Sequence, residues 1–243
     1  MHKLLQAGNQ ARIWDEKMAA ANKKLEELGF PGMIGGSSRM PFDHIGDYLR
    51  GTREIMMDIF RRPGKLQEAM ERFVPLMVEM GMSRIKMGDC PIVTFPVHKG
   101  SDEFLSDSQY REFYWPTCRK VMDALFAEGL MVRMFAEGRH NSRLELLRDE
   151  LPKGKTIWYF DYTTDMERAK RTIGDVACVI GNVPVALLST VTPEQTTEYC
   201  RNLIAVAGRG GFIFSTGAGV DRNAKIENIR AMIKCAKEYG VYS

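Results

Sequence analysis

Nowhere in the 243 residues does an apolar run approach the roughly 20 residues a helix needs to cross a bilayer. The first residues, MHKLLQAGNQARIWDEK, contain no apolar core of the secretory-signal kind. Together these absences set the expectation of a cytoplasmic protein with no membrane partner. Charge of one sign is also lacking. The 34 Lys and Arg against 31 Asp and Glu leave a formal charge of +3, and no stretch concentrates the basic residues. Nucleic-acid binding needs such a stripe and is not expected. Arg61-Arg62 and the pair Arg143 and Arg148 read as solvated helix faces. The five cysteines (Cys90, Cys118, Cys178, Cys200, Cys235) are odd in number and widely spaced. None forms a C-x-x-C pair, so neither a disulfide framework nor a zinc knuckle is indicated. Four of them read as small core residues, and only Cys90, at the end of an expected strand, stands apart. No H-x-x-x-H spacing offers a local metal site. The Gly-rich runs 208–211 and 215–219 lack the Gly-Lys-Ser/Thr of a P-loop and any G-x-G-x-x-G, which leaves only a weak phosphate signal.

What the chain does have is a recurring pattern over its last two thirds. A short apolar run ends abruptly in polar residues, and a helix-like stretch follows. Examples are MVRMF before Ala136-Glu137-Gly138-Arg139-His140-Asn141, TIWYF before Asp161-Tyr162, ACVIG before Asn182 and GFIF before Ser215-Thr216-Gly217. Near-continuous apolar strands alternating with helices indicate a parallel sheet buried on both faces. In such sheets the polar residues just past the strand C-termini gather on one rim, where chemistry sits. The sixteen methionines fit core packing.

Along the chain, residues 3–29 read as one amphipathic helix, with Ala7, Ala11, Trp14, Met18, Ala21, Leu25 and Leu28 in a single stripe. A short strand is expected at 33–38, then helices over 41–60 (broken near Gly51) and 65–81. A strand is expected at about 83–88, ending in Asp89-Cys90. Residues 92–106 lack a clean period and read as a long loop centred on His98-Lys99-Gly100-Ser101-Asp102. Ser106 suits the N-cap of the next helix. Then follow strand 130–136, helix 142–151, strand 156–160, helix 165–173, strand 176–181, helix 193–207, strand 211–215 and helix 225–239. Asp165 and Thr192-Pro193 are good helix starts. The count is six β-then-α units plus a leading helix over 1–29, in one domain spanning 1–243. A closed (β/α)₈ barrel needs eight strands. Either the sheet is open, or two units lie outside this sequence.

The rim after strand 130–136 is the richest constellation. Glu137 could bind substrate or accept a proton, with Arg139, His140 and Asn141 adding a cation, a titratable ring and an amide. The bland alternative pairs Glu137 with Arg139 and uses Asn141 as a helix cap. Asp161 reaches the same rim with Tyr162 beside it, or else merely opens an Asx-turn. Asn182 occupies the equivalent place on the next strand, and Asp89 on an earlier one. His98, on the longest loop, is a further proton-transfer candidate, because long loops are disproportionately functional.

Several segments resemble the uroporphyrinogen decarboxylase superfamily. They are Pro41-Phe42-Asp43 through Leu49-Arg50-Gly51-Thr52 with Arg62-Pro63, and Phe104-Leu105-Ser106 through Tyr114-Trp115-Pro116. Phe160-Asp161 to Gly181-Asn182-Val183-Pro184, Gly210-Gly211-Phe212-Ile213 to Ser215-Thr216-Gly217, and Glu227-Asn228-Ile229-Arg230-Ala231 complete the match. The resemblance covers nearly the whole chain but only the family's C-terminal two thirds. It implies an α/β fold of the (β/α)₈ TIM-barrel type, with about six units present and the first two absent from this sequence.

One branch of that superfamily decarboxylates acetate side chains of a tetrapyrrole without metal. Its histidine near the last strand falls on Ala218 here, and its tyrosine after the third strand falls near Asp47. The other branch moves methyl groups between a corrinoid and a thiol with zinc. Its ligand positions fall on Phe135, Glu137 and Ala218, of which only Glu137 could bind zinc. The expectation is therefore a methyltransferase-like member that acts on a corrinoid, tetrapyrrole-like or one-carbon substrate without zinc. Glu137, His140, His98 and Asp161 are its catalytic candidates. Asn182, Arg139, Asn141, Asp47, Asp89, Tyr162 and Gly217 are its substrate contacts. Cobalamin as methyl donor or acceptor, a corrinoid protein as partner and a homodimer formed through unpaired strand edges belong to this expectation. The alternatives are a decarboxylase with a relocated proton donor, and a non-catalytic ligand-binding barrel or inactive fragment.

Overall fold

The computed structural model describes residues 2–30, 32–33, 35–85, 90–208 and 210–241. The chain opens with helix α1 (His2–Glu27) and the two-residue strand β1 (Gly36–Ser37). Helix α2 (Pro41–His44) continues as a π-helical stretch (Ile45–Arg50) that stops at Gly51, whose φ is 77°. Helices α3 (Thr52–Arg61) and α4 (Pro63–Ile85) lead to strand β2 (Ile92–Val97). The one-turn α5 (Asp107–Gln109), a second π-helical stretch (Tyr110–Tyr114) and α6 (Trp115–Ala127) follow.

From there the alternation is regular: β3 (Met131–Ala136), α7 (Leu144–Glu150), β4 (Thr156–Phe160), α8 (Met166–Ile173) and β5 (Ala177–Val183). Helices α9 (Val185–Thr190) and α10 (Pro193–Ala207), β6 (Phe212–Thr216) and α11 (Ile226–Tyr239) complete it. The expected caps form. Ser106 and Gln109 make a reciprocal capping box, Asp165 accepts from the Arg168 N–H, and Thr192 accepts from the Gln195 N–H ahead of Pro193. Helix α9 had no counterpart among the expected elements.

All six strands run parallel in the order β1-β2-β3-β4-β5-β6, and β1 and β6 do not pair among the described residues. Val93, Phe95, Val132, Met134, Trp158, Phe160 and Val179 face the helices and are fully buried in the main core. Each such side chain contributes about 1.5–3 kcal/mol on burial. The alternate residues face the inside of the curve, where Ile92, Ile157 and Ile180 form a second, smaller cluster beside Met131, Tyr159 and Cys178. No described helix is long and apolar enough to cross a membrane.

Two expectations need correcting. Residues 83–85 end α4 rather than begin a strand, and the strand lies at 92–97, where the pattern read as loop. Pro96 disguised it, since proline usually argues against a strand. The Thr94 carbonyl accepts from Ser38, so residues of that parity face β1, and Pro96 comes next, beyond the end of β1. Its missing N–H is thus required by nothing. Secondly, Arg143 is not solvated; it is fully buried, unlike Arg148. The expected leading helix forms as α1, and its apolar stripe is unburied, with Leu4, Leu5, Trp14 and Leu25 all exposed.

Candidate active site at the strand C-termini

Two strand ends and two π-helical stretches deliver the polar groups at the rim. Irregular π-turns in helices recur at functional sites because they re-aim side chains. The first stretch carries Asp47. Next to it, Gly46 lets the Lys99 chain pass close by: a Cβ there would lie 2.8 Å from Lys99 Cδ. The end of β2 supplies His98 and Lys99. His98 Nδ1 lies 2.7 Å from Asp47 Oδ2, and Nε2 lies 3.8 Å from Glu137 Oε1, just past the end of β3. Lys99, almost fully buried, bonds through Nζ to Asp47 Oδ1. Burial pushes the Asp47 carboxyl up, yet its bonds to Lys99 and His98 outweigh this and hold it below the usual carboxylate range. Asp47 thus holds the ring from its Nδ1 side and turns Nε2 toward Glu137.

Beneath this row sits Asp43, fully buried. The Lys99 N–H donates to its Oδ1 at 2.8 Å and the Tyr114 hydroxyl to its Oδ2 at 2.6 Å. Burial pushes its pKa up to about 6 against those two bonds. Tyr114 comes from the second π-helical stretch, stacked on Tyr110 at 5.0 Å. Burial, then the charge of Asp43, raise the Tyr114 hydroxyl pKa well above normal.

The other expected residues divide in two. Glu137, Asp161 and Gly217 do lie on one rim: Asp161 N bonds to Ala136 O, Glu137 N to Val97 O and Gly217 N to Val183 O. A Cβ on Gly217 would come within 2.7 Å of the Tyr162 nitrogen, so the last strand end abuts the Asp161-Tyr162 turn. Asp161 Oδ1 accepts from the Thr163 N–H, the Asx-turn geometry, and Tyr162 is exposed. Asn182 lies within β5, buried, with Nδ2 donating to the carbonyls of Asp161 and Thr164. Asn141 accepts from the Asp165 N–H. Arg139 faces Glu103 at 3.5 Å and Asp102 at 3.8 Å rather than Glu137. His140 is fully buried, with Nδ1 on the Gly138 carbonyl at 3.1 Å and Nε2 without a partner. Burial drives its pKa down to about 4, so the ring is neutral. Asp89 lies outside the described residues. Asp43 and Tyr114 lay in segments that carried the resemblance but were not among the expected site residues, and their pairing depends on a bond spanning 71 positions. A mostly apolar cleft of about 650 Å³ lies elsewhere, on α4 beside Val74, Val78 and Met82.

A sequence profile described as "Uroporphyrinogen decarboxylase (URO-D)" matches residues 16–239. The chain belongs to the uroporphyrinogen decarboxylase family. Its similarity to curated uroporphyrinogen decarboxylases is low. That of Carboxydothermus hydrogenoformans is 27% identical over 177 residues, 72% of this chain and 46% of the relative. That of Cellvibrio japonicus is 26% identical over 230 residues, covering 89% and 60%. That of Coxiella burnetii is 22% identical over 186 residues, covering 75% and 50%. The chain thus spans about half the length of the curated relatives it matches. A solved methyltransferase from Methanosarcina mazei superposes with a TM-score of 0.70 at 15% identity, over 89% of this chain and 62% of that one. That likeness establishes the α/β barrel-type fold. Zinc at the positions the resemblance implied does not fit the donors present. Phe135 packs its ring 4.7 Å from that of Tyr159, Ala218 has no ligand atom, and no three His, Cys, Asp or Glu converge among the described residues.

Proposed function

We propose that this rim carries methyl transfer, with His98 moving the proton of the group that gains or loses the methyl. The carrying observation is the Asp47–His98–Glu137 row, an imidazole oriented from behind by one carboxylate with its other nitrogen facing a second. In such a row the acceptor's X–H bond breaks as the new C–X bond forms, and the proton passes to His98 Nε2. Asp47 stabilises the imidazolium that results, and Glu137 orients the acceptor. A corrinoid, carried by a partner protein, would suit the role of methyl source and would retain the electron pair of the bond to the methyl. The reading is supported by the surplus of carboxylates here. Asp43, Asp47, Glu137 and Asp161 outnumber Lys99 and His98, a poor match for a tetrapyrrole bearing many carboxylates.

The test is demethylation of methylcobalamin with a thiol acceptor, followed by absorbance, in the wild type, His98→Ala and Glu137→Gln. General acid–base action predicts a loss of roughly 10²–10⁴-fold for His98→Ala. Equal rates in all three proteins would remove the row from the mechanism. The curated relatives' name favours one second reading, decarboxylation, in which a carboxyl leaves as CO₂ and a proton from His98 takes its place. Loss of a carboxyl group from uroporphyrinogen, with no methyl transfer, would select it.

A further inference from the structure

Inside the curve of the sheet, below the rim, one cation has no counter-charge. Thr94 and Arg133 are register partners on β2 and β3, and the residues before them, Val93 and Val132, face the helices. Arg133 therefore points inward, as side chains alternate along a strand. Its guanidinium lies 5.6 Å from the Tyr159 ring centroid, and its buried Nε has no hydrogen-bond partner. No carboxylate among the described residues pairs with it. Its neighbour Thr94 is also buried, with its hydroxyl unpartnered. Leaving such groups unsatisfied costs free energy, and a charged one more than a neutral one. Burial accordingly holds the Arg133 pKa below its ordinary value.

We propose that Arg133 is the anchor for the carboxylate of a small substrate whose body lies along the Phe135–Tyr159 aromatic wall. A guanidinium offers parallel N–H donors that match a planar carboxylate, and Thr94 adds a hydroxyl beside it. From Arg133 to Glu137 is four residues, roughly 13 Å along the strand before side chains are counted. A carboxylate on one flat ring bridges that interval once the arginine's reach is subtracted. The substrate class is thus a small carboxylate with an apolar, ring-sized body whose far end meets His98 and Glu137. Placing the reacting end there rests on the proposed function; the anchoring at Arg133 does not.

Calorimetric titration of the whole chain with benzoate, its neutral counterpart benzamide and inorganic phosphate separates the two. Benzoate is expected to bind at least tenfold more tightly than benzamide, and phosphate should not displace it. Arg133→Met should lose that tenfold preference while leaving benzamide binding unchanged, and Arg133→Lys should keep part of it. Benzoate binding is read without turnover, so a failed methyl-transfer assay leaves the anchor intact. Should Arg133→Met not fold, Thr94→Val supplies the readout through a several-fold weaker benzoate affinity. Equal binding of benzoate and benzamide by the wild type, unchanged benzoate binding in Arg133→Met, or displacement of benzoate by phosphate would each overturn the assignment.

Discussion

Arg143 is fully buried beneath the loop at the rim, whereas Arg133 is half-buried inside the curve of the sheet. Arg143 lies 4.4 Å over the Tyr110 ring and donates to the carbonyls of Gly100, Ser101 and Leu105, to Ser142 Oγ and to Asp107. Asp102 stands 3.5 Å from its Nε. Its fork is committed to holding the loop that follows His98 and Lys99. Gly138 makes room for that loop: with φ at +78°, a Cβ there would lie 2.8 Å from that of Ser101. The contrast teaches what separates a cation committed to structure from one still open to a partner. It is the number of N–H groups already engaged by the protein.

The comparison can be broken most directly at Arg143. Arg143→Met leaves three carbonyls without their donor and takes the nearer of two cations from Asp102, and should cost about 3–5 kcal/mol in urea unfolding. A loss below about 1 kcal/mol would mean the loop does not need it.

Next in size are two buried groups that titrate with opposite signs. The folded pKa of Asp43, about 6, lies above its unfolded value of 3.8, so the native state holds the proton more tightly. Its contribution is present at low pH and is lost as pH rises from about 4 to 6. The folded pKa of His140, about 4, lies below 6.5, so its contribution is present at neutral pH and is lost as pH falls through that interval. Each slope approaches about 1.4 kcal/mol per pH unit, so between pH 4 and 6 they oppose one another. Relative to the wild type, Asp43→Asn should gain stability as pH rises, and His140→Gln should lose it. Parallel pH profiles for the three proteins would contradict both burials.

Smaller still, Asn182→Ala removes one donor from two carbonyls and should cost about 1–3 kcal/mol by thermal or urea unfolding. It should also loosen the Asp161-Tyr162 turn toward proteolysis. Arg148→Ala should fall within about 0.5 kcal/mol of the wild type, since its partner is the adjacent, exposed Asp149.

Arg143 and Arg148 show why only part of the site was legible. Both sit on one short helical segment, and periodicity cannot tell which face a distant loop will cover. Glu137 and Asp161 were legible because each directly ends an apolar strand, and parallel strands place their ends together. His98 was visible only as a loop residue, because Pro96 hid the strand leading to it. Asp47 entered through resemblance alone, and Asp43, in a segment that carried the resemblance, was not among the expected site residues.

The sequence by itself determined the parallel βα alternation, most of the helix caps and the common rim. These follow from local hydrophobic period and from the shared direction of consecutive strands. Tertiary structure alone decided that His98 meets Asp47 across 51 positions, that Tyr114 meets Asp43 across 71, and that Arg143 is engaged while Arg133 is free. Hydrogen bonds and charge pairs act through space over a few ångströms in a dry interior. No local pattern of residues encodes which distant side chains will share that interior.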